Sequence, residues 1–348
     1  MLAERGVVRI RHRSDAVPSR IPIQEHGMRR SVIFLSVTSA LLHCAFASAA
    51  APQRAYVANE HDGTVSIIDT SEDEVMRTVI AHGEHGDKLQ AAIADRGQTT
   101  LFVVDAQNSN VVVIDLASGQ IKERIPTGKS PEGASLSPSG KELAVCGEDD
   151  NTVNFIDIAT RKQVRSIVIQ GKNPEHCEYS ADGRWLLTSD ENSNDVDIID
   201  LAAGKSVALV ATAGHPRGIA ILPDGHLAYV AQETSGGVDV IDIAAHKVVK
   251  SIPTGLRPSG ALASADGKRV YISNGGTGSI SVIDTAKDKV IGEVPVGKRA
   301  WNMALTHDGS KLYIANGRSD SVSVIDTIKL KAIKEISVGT LPWGVQIP

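Results

Sequence analysis

An Ile-Asp pair closes an alternating apolar run seven times in this chain, with its aspartates at Asp69, Asp115, Asp157, Asp200, Asp242, Asp284 and Asp326. Subtracting each position from the next gives spacings of 46, 42, 43, 42, 42 and 42 residues. The last copy, KLYIANGRSDSVSVIDTIKLKAIKEISVGTLPWGVQIP from Lys311 to Pro348, shows the whole unit, and everything from Ala55 onward is a variation on it. Within each unit β-branched residues alternate with small or polar ones and no helical period is sustained, so the unit reads as four short strands. A fixed period of this size built from strands predicts an all-β fold, a seven-bladed β-propeller of four-stranded blades around a channel.

The two ends predict how such a ring closes. AYVAN, Ala55 to Asn59, matches the second strand of a blade, whereas WGVQIP at the C-terminus matches the innermost strand. Gly344 to Pro348 is therefore expected beside Ala55 to Asn59, completing one blade from both termini in a velcro joint that removes an open, aggregation-prone edge. Ser139-Gly140, Asp182-Gly183, Asp224-Gly225, Asp266-Gly267 and Asp308-Gly309 mark the hairpins between inner and second strands, and Arg96-Gly97 is read as filling that place in the first unit. The seven repeated aspartates stand at turns, where an Asp side chain bonds nearby amides, so they are read as structural rather than as a metal ring. The polar residues ten before them, such as Asn59, Asp190, Asn274 and Asn316, are expected to cap the turn after the second strand.

Seven units in unbroken register leave room for one domain, residues 50–348. Hydrophobic residues are 42% but aromatics only 3%, so the core must be built of Val, Ile, Leu and Ala. A formal net charge of -5, with no basic stripe along the repeats, argues against a nucleic-acid partner. Upstream, Met28-Arg29-Arg30 precedes an apolar stretch from Ser31 to Phe46 and the small residues Ala47-Ser48-Ala49, the pattern of a signal peptide over 28–49. That stretch is short of the ~20 residues that span a bilayer, so cleavage rather than anchoring is expected, with a periplasmic or extracellular mature chain and no membrane span. Residues 1–27 read either as an extension from a mis-assigned start, with Met28 the true one, or as a long n-region. Cys146 and Cys177 remain in the mature chain, on adjacent blades; both a disulfide and two buried thiols stay open.

The recurring pattern Tyr-Val/Ile-x-Asn, Val-Ser-Val-Ile-Asp-Thr, Val-Gly-x-x-Pro and Asp-Gly-Lys resembles the YVTN repeat family of β-propellers over Ala55 to Pro348. AYVANEHDGTVSIIDT, VGKRAWNMALTHDG and VGTLPWGVQ are most similar to the exported members associated with PQQ-dependent alcohol catabolism. The resemblance implies an exported protein and brings no catalytic residues with it.

Local motifs add no chemistry. There is no Cys-x-x-Cys-His for covalent haem, no Gly-x-Ser-x-Gly elbow, no phosphate loop and no His-Glu-x-x-His pair, so no cofactor is required by motif. What remains is the channel rim where ligands dock on propellers. Counting along the units places Trp343, Leu89, Glu132, Glu175, Arg217, Ser259 and Trp301 at the start of successive inner strands. Trp301, Trp343 and Leu89 are expected to form an apolar arc, and Glu132, Glu175 and Arg217 a charged one thickened by Glu148, Asp149, Glu191 and Glu233. His176 and His215 fall beside the carboxylates, so Glu132, Glu175, His176 and His215 are the candidate metal or acid–base set. The reading these residues favour is an exported binding or interaction module for a protein partner or small ligand; the alternative is a metal-assisted lactonase, hydrolase or lyase at the channel mouth. A redox role with a non-covalent cofactor has the least behind it.

Overall fold

In a computed structural model, residues 53–82 and 88–348 are described; the expected signal segment lies outside them. The described residues form twenty-eight strands and no helix. They assemble into seven four-stranded antiparallel sheets, the blades of a β-propeller. In blades 2 to 7 the chain runs from the inner strand outward, the inner strands being Leu89–Ala94, Pro131–Leu136, Pro174–Tyr179, Pro216–Ile221, Pro258–Ala263 and Ala300–Leu305. Blade 1 is built from both termini: Pro342–Gln346 is its inner strand and pairs antiparallel with Arg54–Asn59, with Val57 opposite Val345 and Ala58 opposite Gly344. Lys311 Nζ, 2.7 Å from Asp73 Oδ2, straps blade 7 to blade 1 beside this joint.

The core is divided among the blade interfaces. Apolar residues bury between neighbouring blades, as Tyr56, Ala58, Leu89, Val103 and Val112 do between blades 1 and 2, and Tyr271, Val282, Leu312 and Ile314 between blades 6 and 7. Slender β-branched side chains suit this wedge-on-wedge packing, where each sheet buries both faces.

The turn residues act as expected. Each repeated aspartate accepts an amide two or three residues on, from Ser71 to Asp69 at 2.8 Å through to Lys329 to Asp326 at 2.8 Å. The polar residues ten before them do something else in most blades. Asn59, Asn274 and Asn316 accept the N–H of Gly339, Gly255 and Gly297, at 3.2, 3.0 and 3.1 Å. They clamp the loop that leads into their own blade's inner strand rather than capping the turn behind them. Asp105, which accepts the Asn108 amide at 3.1 Å, keeps the expected capping role. Cys146 and Cys177 are buried free thiols.

Candidate functional site

Each inner strand starts with a bulge. Pro131 faces Gly147, but the next regular pair is Ala134 with Val145, leaving Glu132 and Gly133 opposite a single partner residue. Proline suits the first position because it fixes φ and needs no ladder partner. Leu89 pairs with Asp105 as Pro131 pairs with Gly147. Leu89 therefore holds the proline position, and it is wholly buried between blades 1 and 2. This corrects its placement on the rim: Gln90 stands there instead. The offset arises in the next hairpin, where Gln98 at φ 50° takes the left-handed place that Gly140, at φ 70°, takes in blade 3. Arg96-Gly97 sits one residue early.

Third positions of the inner strands are Gly133, Gly218, Gly260, Gly344 and Ala91, and two large residues, His176 and Asn302. The glycines are forced by crowding at the axis. A Cβ on Gly133 would lie 2.4 Å from the Glu175 carbonyl oxygen, and one on Gly218 2.6 Å from the Ala261 nitrogen. His176 and Asn302 meet across the axis, with Nε2 3.2 Å from Oδ1, and the imidazole stacks on Trp343 at 5.6 Å between ring centroids. Three side chains from blades 4, 7 and 1 thus form a partition across the channel.

Above the partition lies the charged cluster. Arg217, its side chain 12% exposed, contacts Glu175 through Nη2, and its Nη1 lies 3.1 Å from Glu191 and 3.3 Å from Glu233. Glu233 also meets Arg257 Nε at 2.8 Å and Arg299 Nη1 at 3.2 Å. His215 Nδ1 is 2.9 Å from Glu191. His215, Arg257 and Arg299 occupy equivalent positions just before an inner strand, all with positive φ between 52° and 56°. That backbone is unfavourable for a residue with a Cβ, by about 1 kcal/mol each, and aims three side chains at one carboxylate. Trp343 Nε1 donates to Glu132 at 3.4 Å.

These contacts set the protonation states. Burial opposes ionisation of Glu233, but Arg217, Arg257 and Arg299 outweigh it and hold the carboxyl down to about 2. Burial pushes Glu175 well above the usual range, with Arg217 opposing and Glu132 adding to the rise. Glu132 shifts the other way: burial is overcome first by the charge of Arg217, which holds the carboxyl below its usual range. Burial, followed by the charge of Arg217, lowers His176 to about 4 and keeps it neutral. Burial and then Glu132 raise Glu148 to about 8.

Below the partition the channel widens into a cavity of about 750 Å³ that reaches the opposite rim at Thr306 and His307. Space is left for it because the inner strands carry Ala91, Ala134, Ala220, Ala261 and Ala304 where bulkier residues would fill the axis, and Ser135, Glu178 and Gln346 add polar groups to a mainly apolar wall.

Of the residues singled out from sequence, the fold brings Glu132, Glu175, His176, Arg217 and Trp343 into one group, with His215 beside it. Trp301 is half-buried under the Arg299 guanidinium, 5.2 Å from its ring, and Trp343 is mostly packed between blades. Glu191, His215 and Glu233 offer three donor atoms within 4.8 Å of one another. A fixed cation, Arg217, already bridges both of those carboxylates, so the set is poorly suited to a metal ion. Sequence reasoning missed Gln90, Asn302, Glu178, Arg257 and Arg299. A signal existed for Asn302, which with His176 breaks the run of small third residues.

Comparison with known proteins supports the architecture. The YNCE-like β-propeller family matches residues 72–266, and the seven-bladed β-propeller lactonase family matches residues 200–336. No curated protein matches. Among solved structures, Kuenenia stuttgartiensis hydrazine synthase aligns with a TM-score of 0.65 at 21% identity, covering 73% of this chain and 87% of that one. A functionally unknown protein from Desulfotomaculum acetoxidans aligns at 0.73 and 15%, covering 85% and 98%. The dihydro-heme d1 dehydrogenase NirN in complex with DHE aligns at 0.63 and 16%, covering 84% and 75%. At these identities the likeness is one of fold.

Proposed function

The chain belongs to the YNCE-like β-propeller family, and from that premise we propose that it is a binding module whose ligand enters the channel from the rim opposite the charged cluster. The observation that carries this reading is the cavity of about 750 Å³ under the His176–Asn302–Trp343 partition, a volume in the range that holds small molecules. The charged cluster supports it by contrast. Glu175, Glu191 and Glu233 are all paired with Arg217, and His176 is hydrogen-bonded to Asn302, so these groups are held by one another rather than offered to a ligand.

The test is to fill the cavity. Ala261→Phe, at a partly exposed position of the cavity wall, places a ring in the channel, and a thermal-shift screen of small molecules should give stabilising compounds for the parent that this variant loses. Compounds that stabilise both equally, or none at all, overturn the reading.

Export to the periplasm or exterior belongs to the same proposal, supported by the apolar segment and small residues of 28–49, and N-terminal sequencing of the mature protein checks it. A role beside PQQ-dependent alcohol oxidation rests on the terminal repeat motifs alone; co-purification with such a dehydrogenase tests it. A metal-assisted lactonase is the second reading. Its support is the partial match to the lactonase propellers and the proximity of Glu191, His215 and Glu233. Stoichiometric metal in protein purified without chelator would favour it, and a blank removes it.

A further inference from the structure

The carboxyls near the channel axis are not all treated alike. Above the partition Arg217, Arg257 and Arg299 answer Glu175, Glu191 and Glu233. Below it stands Glu178, on the inner strand of blade 4, lining the cavity wall. No Lys or Arg lines that cavity among the described residues, and the other titratable lining groups are His176 at the ceiling, Cys177, and His307 at the mouth. His307 is engaged with the C-terminal backbone, its Nε2 2.5 Å from the Pro348 oxygen.

A half-buried carboxyl set among Ala, Ile and Leu is costly to ionise, and here it is offset only by the Ser135 hydroxyl of the neighbouring blade. Burial accordingly raises Glu178 to about 7. An apolar side chain would fit the wall better. The surroundings favour a bound cation over a bound anion at this point, since an incoming ammonium group would make a charge-assisted hydrogen bond in a low-dielectric site. Ser135, Asn302, Thr306 and Gln346 are the other polar side chains of the lining, and Ala, Ile and Leu make up most of the rest, so the body of such a ligand meets a mainly apolar surface.

We propose that the lower channel takes an apolar molecule bearing one primary ammonium group, seated with that group against the Glu178 carboxylate and its hydrocarbon or aromatic body along the alanine-lined wall. The proposal rests on the channel-binding reading above and narrows it to a ligand class. Glu178 is the specificity-determining residue, and the cavity volume supplies the fit for the body.

The probe is dansylcadaverine, a fluorescent naphthalene sulfonamide carrying a primary amine on a five-carbon chain, compared with its N-acetyl derivative, which keeps the body and removes the charge. Fluorescence titration of the full chain should show the amine binding about tenfold or more tightly than the acetylated probe, the scale of one charge-assisted hydrogen bond. Glu178→Gln should bind both probes with equal, weaker affinity while melting at or above the parent temperature. Glu178→Leu, which removes the polar group altogether, is the second variant and should behave alike. If Glu178→Gln keeps the parent's preference for the amine, the ammonium sits elsewhere and the proposal falls. If the acetylated probe binds as tightly as the amine, the ligand class is wrong and the channel reading stands. If neither probe binds and the screen above is also empty, both fall.

Discussion

Asp190 shows how a single exchange inside a repeat changes the local physics. In blades 1 and 7 the equivalent Asn59 and Asn316 donate through Nδ2 to two hydroxyls, Thr64 and Ser66 at 2.9 and 3.0 Å and Ser321 and Ser323 at 3.1 and 2.8 Å. In blade 4 the three partners are Asp190, Asp195 and Asp197, three acceptors in place of one donor and two hydroxyls. Thr188 donates to Asp190 Oδ1 at 2.8 Å, while Oδ2 is buried without a partner. Burial first, and the neighbouring aspartates after it, push the Asp190 carboxyl well above its usual range. A folded-state pKa above the unfolded one means that the stability this group supports is complete at low pH and drains away as pH rises through the folded value. Asp190→Asn should therefore stabilise the protein by about 1–2 kcal/mol at neutral pH, with the gap to the parent widening from pH 4 to pH 8 in urea melts. A parallel pair of pH profiles would show Asp190 to be ionised and satisfied. Arg217 makes the opposite case. Arg217→Met leaves Glu175, Glu191 and Glu233 without their shared cation and should cost about 3–5 kcal/mol. Millimolar Mn²⁺ or Zn²⁺ should restore part of that loss through Glu191, His215 and Glu233, and a variant indifferent to both ions would show that the cluster has no cation site to vacate.

At the scale of strands, the inner strand is where the fold places both its tightest packing and its least regular hydrogen bonding. Gly133→Ala would put a methyl against the Glu175 carbonyl oxygen and the His176 Cα, at 2.4 and 2.7 Å before relaxation. The expected cost is about 1–3 kcal/mol, together with altered near-ultraviolet dichroism as His176 shifts on Trp343. A Gly133→Ala protein with the parent's spectrum and melting point would mean the inner strands have slack. Deleting Trp343 to Pro348 removes most of blade 1's inner strand and re-exposes Val57 and the paired edge of Arg54–Asn59. Its melting temperature should fall by about 10 °C or more, with a loss of solubility. Strand count, blade count and this closure were all legible beforehand because period-two alternation and Asp-Gly turns are local signals. The identity of the rim residue in blade 2 was not, because it turned on whether Gly97 or Gln98 takes the left-handed place. The partition was harder still: His176 and Asn302 are 126 residues apart and meet only once the ring is closed.

At the scale of the whole molecule, seven interblade layers take the place of one core, and the two that flank blade 1 are complete only when the ring closes. Closure rests on the blade-1 joint, where His307 engages both ends: its amide lies 3.2 Å from Gln53 Oε1 and its Nε2 2.5 Å from the Pro348 oxygen. In blades 4 to 7 three residues, such as Ala265-Asp266-Gly267, fill the place between the positions that Pro348 and Gln53 hold in blade 1. Linking Pro348 to Gln53 through Ala-Asp-Gly should recreate that hairpin with its left-handed glycine. Circularising the chain this way leaves the native contacts in place and removes freedom only from the unfolded state, a gain of about 5 kcal/mol by loop-closure entropy. The circular protein should melt well above a linear control carrying the same three residues at its C-terminus, and its unfolding should slow while the channel's ligand affinity is unchanged. Equal melting temperatures would mean that the joint does not limit stability and that the ring gives way elsewhere before the termini part.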